Sequence, residues 1–200
     1  MLCLFGDSHV LSFEHRPDCK SFWMEPNKKA VTMYRFTRYP INITDMYCIT
    51  DKNYKIGRNS VVLFTYGFND IQHKLTKHAK DKWKECVKTM VSTYIKYLKH
   101  MEKKYRIKPR VLCVFPCPLI DNSANGSIEV RTQQTRFMNA LLEQETKKAN
   151  IPFIDVYDRI VSVDDNGCER IKDTVTTDKI HLDIGLTPKL HDWIVEKSLN

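Results

Sequence analysis

Four short apolar runs limit what this 200-residue chain can fold into more than any other feature of it. Leu2 to Phe5, Val61 to Tyr66, Arg110 to Phe115 and Pro152 to Val156 are rich in β-branched, aliphatic and aromatic side chains and bounded by turn residues, the pattern of buried strands. A strand with one wet face alternates apolar and polar residues. These runs do not alternate, so both of their faces must be covered, and a parallel sheet between two helical layers is the arrangement that covers both. A fifth strand is expected at Ala30 to Tyr34, where the side chains alternate, with Met46 to Ile49 as the weaker competitor.

The intervening segments supply the helices. Trp83, Val87, Met90, Val91, Tyr94, Leu98 and Met101 recur at spacings of three and four, which marks one face of a long amphipathic helix whose other face is lysine-rich. A second helix is expected from about Thr132 to Lys148 with Phe137, Leu141 and Leu142 inward. A last one opens at Thr187-Pro188, a capping hydroxyl followed by proline at the first helical position, with Leu190, Trp193 and Ile194 on its apolar stripe. Asp121 to Ser127 and Asp164 to Gly167 read as surface turns. The expected fold class is α/β, a three-layer α/β/α sandwich on a five-stranded parallel sheet of flavodoxin-like order, with residues 1–200 forming a single domain and no leader sequence.

No stretch approaches the roughly 18 to 20 apolar residues of a membrane-spanning helix, so no membrane span is expected. The seven cysteines are odd in number, scattered and free of any CxxC pair, which favours reduced thiols over a disulfide frame or zinc site and implies a reducing, cytoplasmic setting. Thirty-two Lys and Arg against 24 Asp and Glu leave a formal charge of +8. That charge favours anionic partners, yet it is spread along helix faces such as Lys77 to Lys108 without interleaved aromatics or zinc ligands. A solvated basic face is therefore expected rather than a nucleic-acid site.

Chemistry concentrates at strand ends. In an open parallel sheet, ligands bind beyond the carboxyl ends of the strands where the strand order reverses. Gly6-Asp7-Ser8-His9 follows the first strand and Gly67-Phe68-Asn69-Asp70 follows the next of the four runs. In a flavodoxin-like order these two strands are neighbours, so Ser8 and Asn69 converge across sixty residues of sequence. A serine hydroxyl becomes a useful nucleophile when a base takes its proton and an acceptor fixes that base. Asp178-Lys179-Ile180-His181, between the last strand and the last helix, supplies a base and an acceptor on the same sheet edge. Each piece also has a plainer reading: Ser8 as the cap of a helix, Asn69-Asp70 as a turn, and Asp178 to His181 as a polar loop, with Asp183 as a rival orienting carboxylate.

The blocks GDS near the amino terminus, GxND in the middle and DxxH near the carboxyl terminus resemble those of the SGNH, or GDSL-like, hydrolase superfamily in order and across almost the whole chain. The resemblance implies a serine esterase that needs no cofactor or metal, with a catalytic triad of Ser8, Asp178 and His181. It also implies an oxyanion hole made by the Ser8 backbone amide and the Asn69 side chain. The expected substrate is a small-molecule or carbohydrate ester with a small acyl group such as acetyl. One block departs from the pattern, because the glycine expected after the second strand has no counterpart: Gly57 is the only glycine between Ser8 and Val61. A backbone amide in the Thr32 to Arg38 segment is the expected substitute. Gly67, Arg35 and His9 are candidate substrate contacts, and Phe115 to Pro118 a candidate cleft wall. The alternatives are a binding domain of the same fold that holds a glycan or another anion, and an acyltransferase using the same triad.

Overall fold

A computed structural model of the chain describes residues 1–23, 32–38, 47–48, 51, 53–116, 126–165, 167–178 and 181–200. In chain order the elements are β1 (Leu2–Gly6), a 3-10 helix (Ser8–Phe13), β2 (Cys19–Trp23), α1 (Met33–Arg38), β3 (Tyr47–Cys48) and β4 (Val61–Thr65). A helical run follows, made of α2 (Phe68–Asp70), a π turn (Ile71–Leu75) and α3 (Thr76–Ala79), leading into α4 (Trp83–Tyr105). Then come β5 (Lys108–Leu112), α5 (Ile128–Lys148), β6 (Phe153–Ile154), α6 (Tyr157–Ile160), β7 (Val161–Val163), β8 (Glu169–Ile171) and α7 (Pro188–Leu199).

The main sheet runs in the order β3-β2-β1-β4-β5-β6, and β7 with β8 forms a separate antiparallel hairpin around the Asp164 to Gly167 turn. Five strands, β2-β1-β4-β5-β6, are parallel, which is the flavodoxin-like order. The two-residue β3 adds an antiparallel edge against β2. Helices α1, α4 and α5 pack together on one face, while α7 rests against β1, β4 and β6 on the other, completing the three-layer α/β/α sandwich. Every residue of β1 is buried, as both-face covering requires.

The fifth parallel strand lies elsewhere than expected. It is β2, whose Lys20 and Ser21 interrupt the apolar run. Ser21 is buried because its hydroxyl donates to the Val10 carbonyl at 2.9 Å, and the Lys20 ammonium lies over the Tyr54 ring. Of the segment first expected to be that strand, Met33 and Tyr34 are helical, in α1, and residues 30–31 lie outside the described ones. Part of the weaker competitor, Tyr47–Cys48, is the antiparallel edge β3. The third run also pairs earlier than its apolar content suggests. Cys113, Val114 and Phe115 are buried beyond the end of β5, and the Asn139 side chain accepts from the Val114 amide at 2.7 Å and donates to its carbonyl at 2.9 Å. An amide side chain on α5 thus takes the place of a neighbouring strand.

Helix α4 buries Val87, Met90, Val91, Tyr94, Ile95, Leu98 and Met101, the stripe read from the sequence, and each such side chain contributes about 1.5 to 3 kcal/mol by leaving water. Helix α5 starts earlier, at Ile128, because Ser127 caps it by accepting from the Val130 amide. Its inward stripe is rotated from the expected one: Arg131, Gln134, Thr135 and Asn139 are buried beside Met138 and Leu142, while Phe137 and Leu141 are only partly covered. Arg131 donates to the Gln72 side chain at 2.6 Å, which ties α5 to the π turn. Pro188 opens α7 as expected, but the Thr187 hydroxyl bonds back to the Asp183 carbonyl at 2.7 Å instead of capping the helix. Cys3, Cys19, Cys48, Cys86, Cys113 and Cys168 are thiols and not disulfide partners. Among the described residues, no helix is long and apolar enough to cross a membrane.

Candidate active site

The carboxyl ends of β1 and β4 are adjacent, with Gly6 opposite Thr65 in the ladder. The strands approach so closely there that a Cβ on Gly6 would lie 2.3 Å from the Thr65 carbonyl oxygen, so this position accepts only glycine. The chain then turns. Asp7 caps the 3-10 helix, its carboxylate accepting the His9 amide at 3.2 Å. The capping role that the plainer sequence reading gave to Ser8 therefore belongs to Asp7, and the serine hydroxyl faces elsewhere.

It faces His181. The His181 Nε2 lies 2.6 Å from Ser8 Oγ, and the Nδ1 of the same ring lies 2.5 Å from Asp178 Oδ2. The Asp178 carboxylate is fixed by two more bonds on Oδ1: the His181 amide donates at 2.7 Å and the Thr176 hydroxyl at 3.1 Å. With Nδ1 protonated toward the carboxylate, Nε2 is left as the acceptor for the Ser8 proton. Asp178 thus grips both the main chain and the ring of a residue three positions later. Asp183 is engaged otherwise, accepting from the Thr177 hydroxyl at 2.9 Å and from the Gly185 amide at 2.7 Å.

Asn69 comes to the same edge from β4. Gly67 has φ of 118°, a left-handed conformation that starts α2 and swings Asn69 and Asp70 inward, both buried. The Asn69 Nδ2 is buried and donates to nothing. A buried amide without an acceptor costs about 1 to 3 kcal/mol, and it is the state expected of a donor whose acceptor arrives with a ligand. The Ser8 amide, at the first position of its helix, likewise has no acceptor within the helix.

The other sequence candidates fall at varying distances from this centre. His9 stacks edge-on against Phe68 at 4.5 Å and Phe115 at 4.6 Å, and its ring lies 5.0 Å from that of His181. Both of its ring nitrogens are buried and unpartnered, and burial, with a smaller contribution from His181, pushes it down to about 3, so the ring is neutral. His9 thus packs beside His181 as an aromatic wall. At Gly67 the space of a Cβ is filled by Val114, Met138 and Met33, so this glycine serves close packing. Arg35 is exposed on α1. Phe115 belongs to the aromatic wall, and residues 117–118 lie outside the described ones.

The substitute for the missing glycine is not supplied by the start of α1. The Met33 and Tyr34 amides donate to the Asp70 carboxylate at 2.6 and 3.2 Å, and the Arg35 amide donates to the Thr32 hydroxyl. The Phe36 amide is taken by the Thr32 carbonyl. Three residues around the site were not among the sequence candidates for it: Thr176, which was not singled out, and Asp7 and Asp70, which were read only as parts of strand-end turns. Burial pushes both aspartates up to about 7. Their signal was their position, each beside a strand-end donor. Among the described residues, no group of three or more His, Cys, Asp or Glu could hold a metal ion.

The Ser8, His181, Asp178 and Asn69 cluster sits on a scaffold found in solved structures. Over 98% of this chain and 88% of the other, the fold is similar to a GDSL-like lipase from Bacteroides thetaiotaomicron, with a TM-score of 0.60 and 15% identity. The fold is that of the GDSL-like, or SGNH, hydrolases. The acetyl xylan esterase AlAXEase matches it over 98% of both chains, with a TM-score of 0.57 and 17% identity. The psychrotrophic esterase EstA from Pseudoalteromonas sp., in a structure inhibited by monoethylphosphonate, matches over 98% of this chain and 94% of its own with a TM-score of 0.52 and 11% identity. No protein-family model and no curated protein matches the sequence. The GDSL-like fold is therefore recognisable here by backbone and strand-end placement, at identities where side-chain roles must be argued from the site itself.

Proposed function

We propose that the protein is a serine esterase that forms an acyl-enzyme on Ser8. The observation that carries this reading is the continuous relay from Asp178 through His181 to the Ser8 hydroxyl, with contacts of 2.5 and 2.6 Å. In the first half-reaction Ser8 Oγ attacks the ester carbonyl carbon while His181 Nε2 takes its proton. The carbonyl electron pair moves onto the oxygen, where the Ser8 amide and Asn69 Nδ2 stabilise it. Collapse of this intermediate expels the alcohol, which receives the proton from His181. Water then repeats the sequence on the acyl-enzyme and regenerates Ser8. Asp178 holds the ring in the tautomer that leaves Nε2 basic and stabilises the imidazolium that forms.

The substrate we favour carries a small acyl group, such as acetyl on a carbohydrate. This follows the named activity of the acetyl xylan esterase among the similar structures. The test is hydrolysis of 4-nitrophenyl acetate and of acetylated xylan by the purified protein and by Ser8→Ala. The variant is expected to lose about 10³-fold or more in kcat. Equal rates for the two proteins would overturn the esterase reading.

A further inference from the structure

His9 follows the proposed nucleophile yet stands outside the hydrogen-bonded relay. Its side chain is in a place that suits a plain hydrophobic residue, 2% exposed and with both ring nitrogens buried and unpartnered. Two such nitrogens cost stability, so packing alone does not account for a histidine here. Three rings surround it. Phe68 at the start of α2 meets it edge-on at 4.5 Å, and Phe115 beyond the end of β5 does so at 4.6 Å. The third ring is that of His181, 5.0 Å away and tilted by 57°.

His181 has need of such a neighbour. Its two ring nitrogens are held by Asp178 and Ser8, but two points do not fix the tilt of a ring about the line that joins them. The Ser8 anchor is also lost once that oxygen is acylated, just when the base must be in place for water. In each half-reaction His181 becomes a cation, and a cation within about 6 Å of an aromatic ring is stabilised by it. Resting on the esterase reading, we propose that His9 is a positioning residue for the base: its neutral ring, wedged between Phe68 and Phe115, holds the His181 ring toward Ser8 and stabilises the imidazolium that forms there. Neutrality is essential to this role, since a second cation would repel the first. Burial, with a smaller contribution from His181, pushes His9 down to about 3 and keeps it uncharged. The ionisable groups facing the pair are Asp178 on the His181 loop and Asp7, whose carboxyl accepts the His9 amide at 3.2 Å, while Phe68 and Phe115 bring no charge. Substitutions at His9 leave both carboxyls in place.

The test reads rate and ring titration in the same proteins. His9→Leu, which removes the ring, is expected to lower kcat for 4-nitrophenyl acetate about tenfold or more with KM changed less than threefold. The pH at which the His181 ring takes up a proton, followed through its carbon-bound protons by nuclear magnetic resonance, should fall by about half a unit, roughly a threefold loss of proton affinity. His9→Phe puts an aromatic ring back and should bring kcat to within about threefold of wild type and recover most of the titration shift. A residue that only fills space would leave that titration where it is. A kcat for folded His9→Leu within threefold of wild type, an unmoved His181 titration, or a phenylalanine variant no better than the leucine one would overturn the proposal. Should the variants not fold, the wild-type protein decides: the His9 ring protons should follow the His181 titration without His9 itself charging above about pH 5, and a His9 ring that charges there or ignores His181 would overturn the proposal. Absence of Ser8-dependent hydrolysis by the wild-type protein sinks the esterase reading and this inference with it, whereas an active wild type with an indifferent His9 sinks this inference alone.

Discussion

Replacing Asn69 by alanine separates catalysis from folding, because kcat is expected to fall steeply while stability hardly changes. The Asn69 Nδ2 is buried and unpartnered, so the resting protein carries a desolvation cost of about 1 to 3 kcal/mol for it. Truncation removes that cost and also removes the packing of a small side chain, a loss of similar size. The net change in unfolding free energy is expected to stay within about 1 kcal/mol of zero. In the transition state the same group stabilises a developing negative charge, and losing one such donor typically costs 10²- to 10³-fold in kcat, about 2.7 to 4 kcal/mol. The assay is kcat and KM on 4-nitrophenyl acetate alongside urea unfolding of the same preparation. A kcat within threefold of wild type for folded Asn69→Ala would refute the reasoning. So would a fall in stability of about 3 kcal/mol with activity tracking the folded fraction, because the amide would then be a structural group.

Asp178→Asn should lower kcat by about 10⁴-fold with little change in fold, because an amide can donate to Nδ1 and so favours the wrong tautomer of His181. Asp183→Asn, which touches Thr177 and Gly185 instead, should keep kcat within about threefold; equal losses in the two variants would show that Asp178 has no special place in the relay. The raised Asp7 carboxyl carries a sign for stability as well. Its folded value of about 7 lies above the unfolded one, so the folded state holds a proton that the unfolded state has released between about pH 4 and 7. Stability should fall with rising pH across that window by about 1.4 kcal/mol per unit for this group, and urea unfolding of Asp7→Asn should show a shallower decline than wild type. Parallel pH dependences for the two proteins would contradict the burial argument.

How much of this was legible in the sequence depended on which force shaped each element. The buried strands showed where hydrophobic burial acts alone, as in Leu2 to Phe5. They did not show where a polar side chain is buried with a specific partner. Ser21 is covered by its bond to the Val10 carbonyl, and Lys20 lies over Tyr54, so β2 reads as a polar segment although it is an interior strand, paired on both sides. The inward face of α5 was misplaced for the same reason: Asn139 replaces a strand partner for Val114 and Arg131 bonds Gln72, contacts made across 25 and 59 residues that no local periodicity encodes. At the site, residues whose chemistry is unusual for their position were readable: a serine after GD at a strand end and a histidine three residues past an aspartate. Their supports were not, since Asp7, Asp70 and Thr176 have ordinary capping and turn meanings until the fold brings them against particular amides and carboxylates. The same residue type fills both roles here. Asp70 is at once the cap of α1 and the neighbour of Asn69, so the plain structural reading and the functional one are two descriptions of a single set of hydrogen bonds, and only a measurement that moves kcat apart from stability can weigh them.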